Sequence, residues 1–266
     1  MARQRVPEGP APAPAVQRLR LRYAKRGRLR FTSSRDFQRA LERALRRADV
    51  PMAFSGGFHP HPKISYANAA ATGTASEAEY VEIQVTERVD PESVRTALDA
   101  ALPDGLDIVA VVEARVGNLA DRLEASDWRL EFLGLPVGEL REAVEQLLGR
   151  DRVEVTRMTK SGPRTFDVRE ALVSAEVVGE PAGAGTGVSA PAPSGDPGAD
   201  CAILRMVVRH TTPAVRPDDI LTALRDVAGL QPVRPPLVTR LAQGPFDTAT
   251  ARVADPLAAD EKAAGA

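Results

Sequence analysis

The sequence holds a single cysteine, Cys201, in 266 residues. One thiol closes no intrachain disulfide, which fits a reducing compartment. Nor can it supply the set of thiolates that an iron–sulfur cluster or a Cys-rich zinc site requires. Aromatic residues make up only 4%, so the cores must be built mostly from Leu, Val and Ala. No run approaches the roughly 18 consecutive apolar residues of a membrane span. The leader, 1–16, carries Arg and Pro but no apolar stretch of the kind a secretory signal uses. It reads as disordered, and the chain as cytoplasmic with no membrane partner. A P-loop, a GxGxxG fingerprint, a nucleophile elbow and a kinase signature are all absent.

Net charge is −1, which alone predicts no affinity for nucleic acid. That average conceals an asymmetry, because residues 1–50 hold 14 Lys and Arg against 4 Asp and Glu. The stretch from Gln17 to Ala24 alternates, with Leu19, Leu21 and Tyr23 on one side and Arg18, Arg20 and Arg22 on the other. That predicts a half-buried strand with a basic face. A helix follows from Ser33 or Ser34 to about Ala48. Its apolar residues Phe37, Ala40, Leu41, Ala44, Leu45 and Ala48 recur at helical spacing, while Arg35, Arg39 and Arg46 fall on the opposite face, with Arg43 beside them.

Further strands are expected at Val50–Phe54, near Glu79–Thr86 and at Leu106–Val112, with a helix at Pro91–Ala101 between the last two, which gives the order βαββαβ. The order βαββαβ recurs after Trp128, with 179–200 as a disordered insertion holding six Gly and four Pro. The expected fold is α+β, two ferredoxin-like βαββαβ units in tandem. The first spans 17–115 and the second 126–243, and 249–266 forms a disordered tail.

The stretch Ser55-Gly-Gly-Phe-His-Pro-His-Pro-Lys-Ile-Ser65 is neither a flexible hinge nor a strand. Gly56 and Gly57 open unusual backbone conformations, and Pro60 and Pro62 lock it. Two of the three histidines, His59 and His61, sit in this frame. As a metal site they offer two ligands, which only folding could supplement with His210 or Asp36, so no metal or cofactor is assigned. As general acid and base they could act on RNA, with Ser34, Arg35 and Lys63 near a phosphate. The other candidate is phosphate or RNA binding by Lys25, Arg28, Arg30, Arg35, Arg39, Arg43 and Lys63, since clustered basic residues are the footprint of phosphate contact. An acidic protein surface is the rival partner.

Four segments carry a family resemblance: Leu29–Asp36, Glu42–Ala48, Ser55–Ser65 and Ser76–Tyr80. They resemble the radical SAM-linked proteins, bacterial proteins of unknown function encoded beside, or fused to, a radical S-adenosylmethionine protein. The resemblance covers about Gln17 to Leu241 and is strongest from Lys25 to Val85. The family commonly has His at the position of Ser34 and Leu at that of Arg35, which argues against a catalytic Ser34. A frequent ribonuclease E/G gene nearby implies an RNA context. The lone Cys201 means that this chain is not itself the radical enzyme. The expected function is therefore a non-catalytic accessory or substrate-binding partner of a radical SAM protein, acting on RNA. The alternative is a stand-alone RNA-binding protein, or a metal-independent endoribonuclease using His59 and His61.

Overall fold

A computed structural model describes residues 11–160, 162–178 and 201–265. The proposed insertion 179–200 and most of the leader lie outside them. The chain is α+β and divides into two compact units, Met1–Asp121 with Pro256–Ala266, and Arg122–Asp255. No helix among the described residues is long and apolar enough to cross a membrane.

In the first unit, the alternating segment forms β1 (Gln17–Lys25). The helix α1 (Ser34–Arg47) starts where the Ser33 hydroxyl accepts from the Asp36 amide at 3.2 Å, satisfying an otherwise unpaired helix donor. Then come β2 (Ile64–Ala67), β3 (Ala75–Val85), α2 (Pro91–Ala101) and β4 (Ile108–Glu113). The strands lie in the order β4-β1-β3-β2, with every neighbouring pair antiparallel. Leu19, Leu21, Val81 and Ile83 pack with Phe37, Leu41 and Leu45 of α1 and with Val94 and Leu98 of α2. Tyr23 stacks on Phe37 at 4.0 Å between ring centres, and Phe37 meets Tyr66 of β2 edge-on at 6.2 Å. Between β1 and α1 the segment Gly27–Phe31 forms a 3-10 turn.

The second unit contains β5 (Ala125–Leu133), α3 (Val137–Leu148), β6 (Glu154–Thr159), β7 (Gly162–Asp167), β8 (Leu172–Val178), β9 (Cys201–Arg209), α4 (Pro217–Ala228) and β10 (Leu237–Gly244). Its sheet runs β10-β5-β9-β8, antiparallel throughout, while β6 and β7 pair separately. Trp128, Leu130 and Phe132 of β5 meet Leu140, Val144 and Leu147 of α3 and Ile220 and Leu224 of α4.

The tail is not loose, as expected from its Ala- and acid-rich composition. After the short strands β11 (Phe246–Asp247) and β12 (Arg252–Val253) it forms α5 (Ala258–Ala264). Seven residues are too few for a helix that stands alone in water, so tertiary contacts hold it. Asp260, 1% exposed, binds Arg20 at 2.7 Å and accepts from the amides of Arg115 and Val116.

The basic face of β1 is corrected by the same contact. Arg20 is 0% exposed; its Nε donates to Glu82 at 3.0 Å, and its other nitrogens donate to the carbonyls of Val116 and Gly117. Alternation marked which residues share a side, but not that the polar side would be covered.

Removing one partner of a buried ion pair strands the other charge, at about 3–5 kcal/mol. Asp260→Ala is expected to lower the first unit's stability by that order, read as a fall in the urea midpoint of the unfolding transition. An unchanged midpoint would show that α5 contributes nothing.

Candidate nucleic-acid interface

Twelve Lys and Arg lie between Gln17 and Arg47, and the fold sorts them into two groups. Those of β1, together with Arg26, are largely engaged within the unit. Arg18 and Arg20 face Glu82, and Arg26 bridges Glu77 and Asp107, which holds its guanidinium well above its ordinary pKa. Lys25 is 4% exposed, and its ammonium donates to the carbonyls of Ala71 at 3.1 Å and Ala70 at 3.4 Å. It has no surface left to offer a phosphate, which removes it from the candidate set.

The arginines of α1 behave differently. With Phe37, Leu41, Ala44 and Leu45 buried, a rotation of about 100° per residue puts Arg35, Arg39 and Arg43 in one row on the solvent side. All three are exposed. Among the described residues none of them, nor exposed Arg28, has a carboxylate partner. Arg30 is half-buried, and its carbonyl accepts from Gly73.

Ser55–Ser65 forms the tip and descending arm of a hairpin. Phe54 bridges Pro62, the Ser55 amide donates to the His61 carbonyl at 2.8 Å, and the Lys63 amide donates to Ala53 at 2.8 Å. Pro62 thus sits opposite Phe54 at a pair that exchanges no hydrogen bonds, where its missing N–H costs nothing. The His61 amide also donates to the Ser55 hydroxyl at 3.0 Å. Two prolines flanking two histidines predict partial burial of this stretch against α1; Ser55, Pro62 and Ile64 are half-buried, and Ile64 packs against the core that includes Phe37 and Leu41. His59, His61 and Lys63 are exposed, and the order comes from backbone pairing.

Gly57 has φ +114, a conformation that L side chains rarely adopt. Gly56 has no such requirement, and a Cβ there would meet Pro12 only at 4.0 Å.

Sequence reasoning missed the aromatics of this surface. Phe31, Phe54 and Phe58 are 66%, 41% and 61% exposed. Phe58 lies at the hairpin tip, Phe54 at its base, and Phe31 ends the turn that carries Arg28 and Arg30. Exposed rings and guanidiniums without carboxylate partners in one unit supply the two kinds of group, stacking faces and phosphate contacts, that single-stranded nucleic acid uses. Behind this surface, Tyr66 is pushed up to about 12 by burial and by Glu42, so it stays protonated at neutral pH.

His210, the third histidine, lies in the second unit. Its Nδ1 contacts the Leu123 carbonyl at 2.6 Å and its Nε2 the Ser126 hydroxyl at 2.8 Å. In the neutral ring, an Nδ1–H donor to the carbonyl and an Nε2 acceptor from the hydroxyl satisfy both contacts. Among the described residues, no three His, Cys, Asp or Glu side chains are grouped to hold a metal ion.

Comparison with known families gives one match, over residues 18–217, to a family described as uncharacterized protein conserved in bacteria (DUF2344). The chain belongs to this family. The matched region opens inside β1 and closes at Pro217, the first residue of α4. It therefore contains the α1 row and the whole hairpin. No protein of curated function matches the chain.

Two expectations follow. Gly57→Ala strains the hairpin by about 1–3 kcal/mol, so the Ser55 and His61 amides should exchange about tenfold faster or more, while Gly56→Ala leaves them unchanged. Equal exchange in both variants contradicts this assignment of the turn.

Burial lowers the pKa of His210 from its ordinary 6.5. Below that pH the unfolded chain takes up a proton that the folded one resists, so stability falls with pH, by at most about 1.4 kcal/mol per unit. Urea titrations at several pH values should show this slope in the parent and a shallower one in His210→Gln.

Proposed function

We propose that the first unit is a single-stranded RNA-binding module, and that the chain is a non-catalytic accessory presenting RNA to a radical SAM enzyme in the cytoplasm. The observation that carries the reading is the row Arg35, Arg39 and Arg43, left without carboxylate partners in a unit that also exposes Phe31, Phe54 and Phe58. Guanidiniums supply phosphate contacts without sequence preference, and rings supply stacking to any base. An acidic protein partner would match the arginines and leave the three rings unexplained.

The strand orders β4-β1-β3-β2 and β10-β5-β9-β8, each with two helices at equivalent places in the chain, support reading both units as ferredoxin-like, the second with the β6–β7 hairpin inserted. That architecture occurs among RNA binders, a fold-level analogy only. Support for the radical SAM partner is the resemblance of Leu29–Asp36 and Ser55–Ser65, together with a cysteine count that leaves cluster chemistry to another chain.

His59 and His61 favour recognition over catalysis. Both are exposed, and among the described residues no side chain holds either imidazole in place, whereas acid–base catalysis needs a positioned group.

The test measures binding of a single-stranded oligoribonucleotide across a salt titration. Arg35→Ala, Arg39→Ala and Arg43→Ala together should weaken binding and flatten the log–log salt slope by about 2. Unchanged slope and affinity would falsify the RNA reading. An anaerobic pull-down of the parent chain then recovers a radical SAM protein together with RNA. Recovery of RNA alone supports a stand-alone binder. Cleavage of RNA by the pure chain that vanishes in His61→Ala restores the endoribonuclease alternative.

A further inference from the structure

The second unit has an open cavity of about 630 Å³ that no part of the RNA reading uses. Its charged lining is Glu124, Glu170 and Arg209. Long side chains of opposite sign that share one concave surface ordinarily close into ion pairs. Here none of the three makes an ion pair among the described residues. Two restraints keep them apart. The Arg209 guanidinium is drawn over the ring of Phe246, 4.5 Å from its centre. Glu124 is held by the Phe246 amide, which donates to Oε2 at 2.9 Å. Phe246 therefore engages both Arg209 and Glu124, one through its ring and the other through its amide.

His210 forms part of the wall. Both ring nitrogens are engaged, by the Leu123 carbonyl and the Ser126 hydroxyl, so the ring adds shape but no charge. Ser126 is buried and pairs across the sheet with Val208 and Gln243, which makes it a support for the ring and not a nucleophile open to the cavity. Thr211 and Thr248 add hydroxyls to the lining.

From these separated charges we infer that the cavity is a binding site for a small zwitterion of the amino-acid class, its ammonium group toward Glu124 and Glu170 and its carboxylate on Arg209. A guanidinium fork matches a carboxylate in a bidentate manner, and a carboxylate pair matches an ammonium, which donates three ways. A simple anion would leave two carboxylates facing it, and a simple cation would meet Arg209. The volume lies within the range of small-molecule sites and leaves room for a side chain beyond the charged head.

The experiment is calorimetric titration of the full-length protein with the standard L-amino acids, one at a time. The tightest binder is then compared with its decarboxylated amine and its deaminated acid. At least one amino acid should bind with Kd below about 1 mM, and both truncated counterparts about tenfold more weakly or worse. Arg209→Gln and Glu124→Gln should each weaken binding by about tenfold or more. Both side chains are exposed; should either variant lose stability, Glu170→Gln, at a carboxylate bonded to no described residue, gives the same reading. Three results overturn the inference: no saturable binding by any amino acid, the amine or the acid binding as tightly as the amino acid, or indifference to all the substitutions.

Discussion

A guanidinium withdrawn from water must be surrounded by acceptors, and Arg20 imposes that condition on the whole first unit. Its charge is met by Glu82 across the β1–β3 ladder, by Asp260 from α5, and by two carbonyls in the loop after β4. One side chain thus links the register of two strands, the path of a loop and the docking of a helix. A register slip of one residue would turn Glu82 to the opposite face and leave the arginine with a deficit of several kcal/mol. Buried ion pairs are weak contributors to net stability. Their force lies in what they forbid, and here they forbid alternative pairings of β1.

The same arginine-rich stretch plays two parts because the carboxylates are unevenly placed. β3 carries Glu77, Glu79 and Glu82, and Glu77 and Glu82 neutralise arginines of β1 and the following turn. α1 has only Asp36 and Glu42, and Asp36 is occupied in the Ser33 cap. The excess of basic residues in the first fifty therefore overstates the charge offered to solvent. What reaches the surface is a narrower row, on one rigid helix, in a unit that also exposes rings that the core did not take.

Periodicity made the α+β class legible, because a strand that alternates and a helix with Phe37, Leu41, Ala44 and Leu45 on one face can bury themselves in few other ways. It did not make β2 legible, since Ile64–Ala67 has only four residues and no strict alternation. Nor did it reveal α5, whose role rests on one carboxylate in an Ala-rich background. The candidate site was half legible. Arg35, Arg39 and Arg43 follow from helical geometry alone, whereas the loss of Lys25 depends on where the carbonyls of Ala70 and Ala71 fold. The histidines drew attention by rarity, yet the rigidity around them is the work of the backbone. The cavity beside Arg209 was invisible for a different reason, since its lining joins residues more than a hundred positions apart, from Leu123 to Thr248.

The bond between Arg20 and Asp260 spans 240 positions of sequence. During synthesis β1 emerges long before its partner exists, and the entire second unit must be made in the interval. The unit translated first is therefore completed last. Until α5 arrives, Arg20 can keep its charge hydrated only if its side of the sheet stays open to water. A nascent chain in that state would be a natural client for chaperones, even though neither unit has an unusual topology.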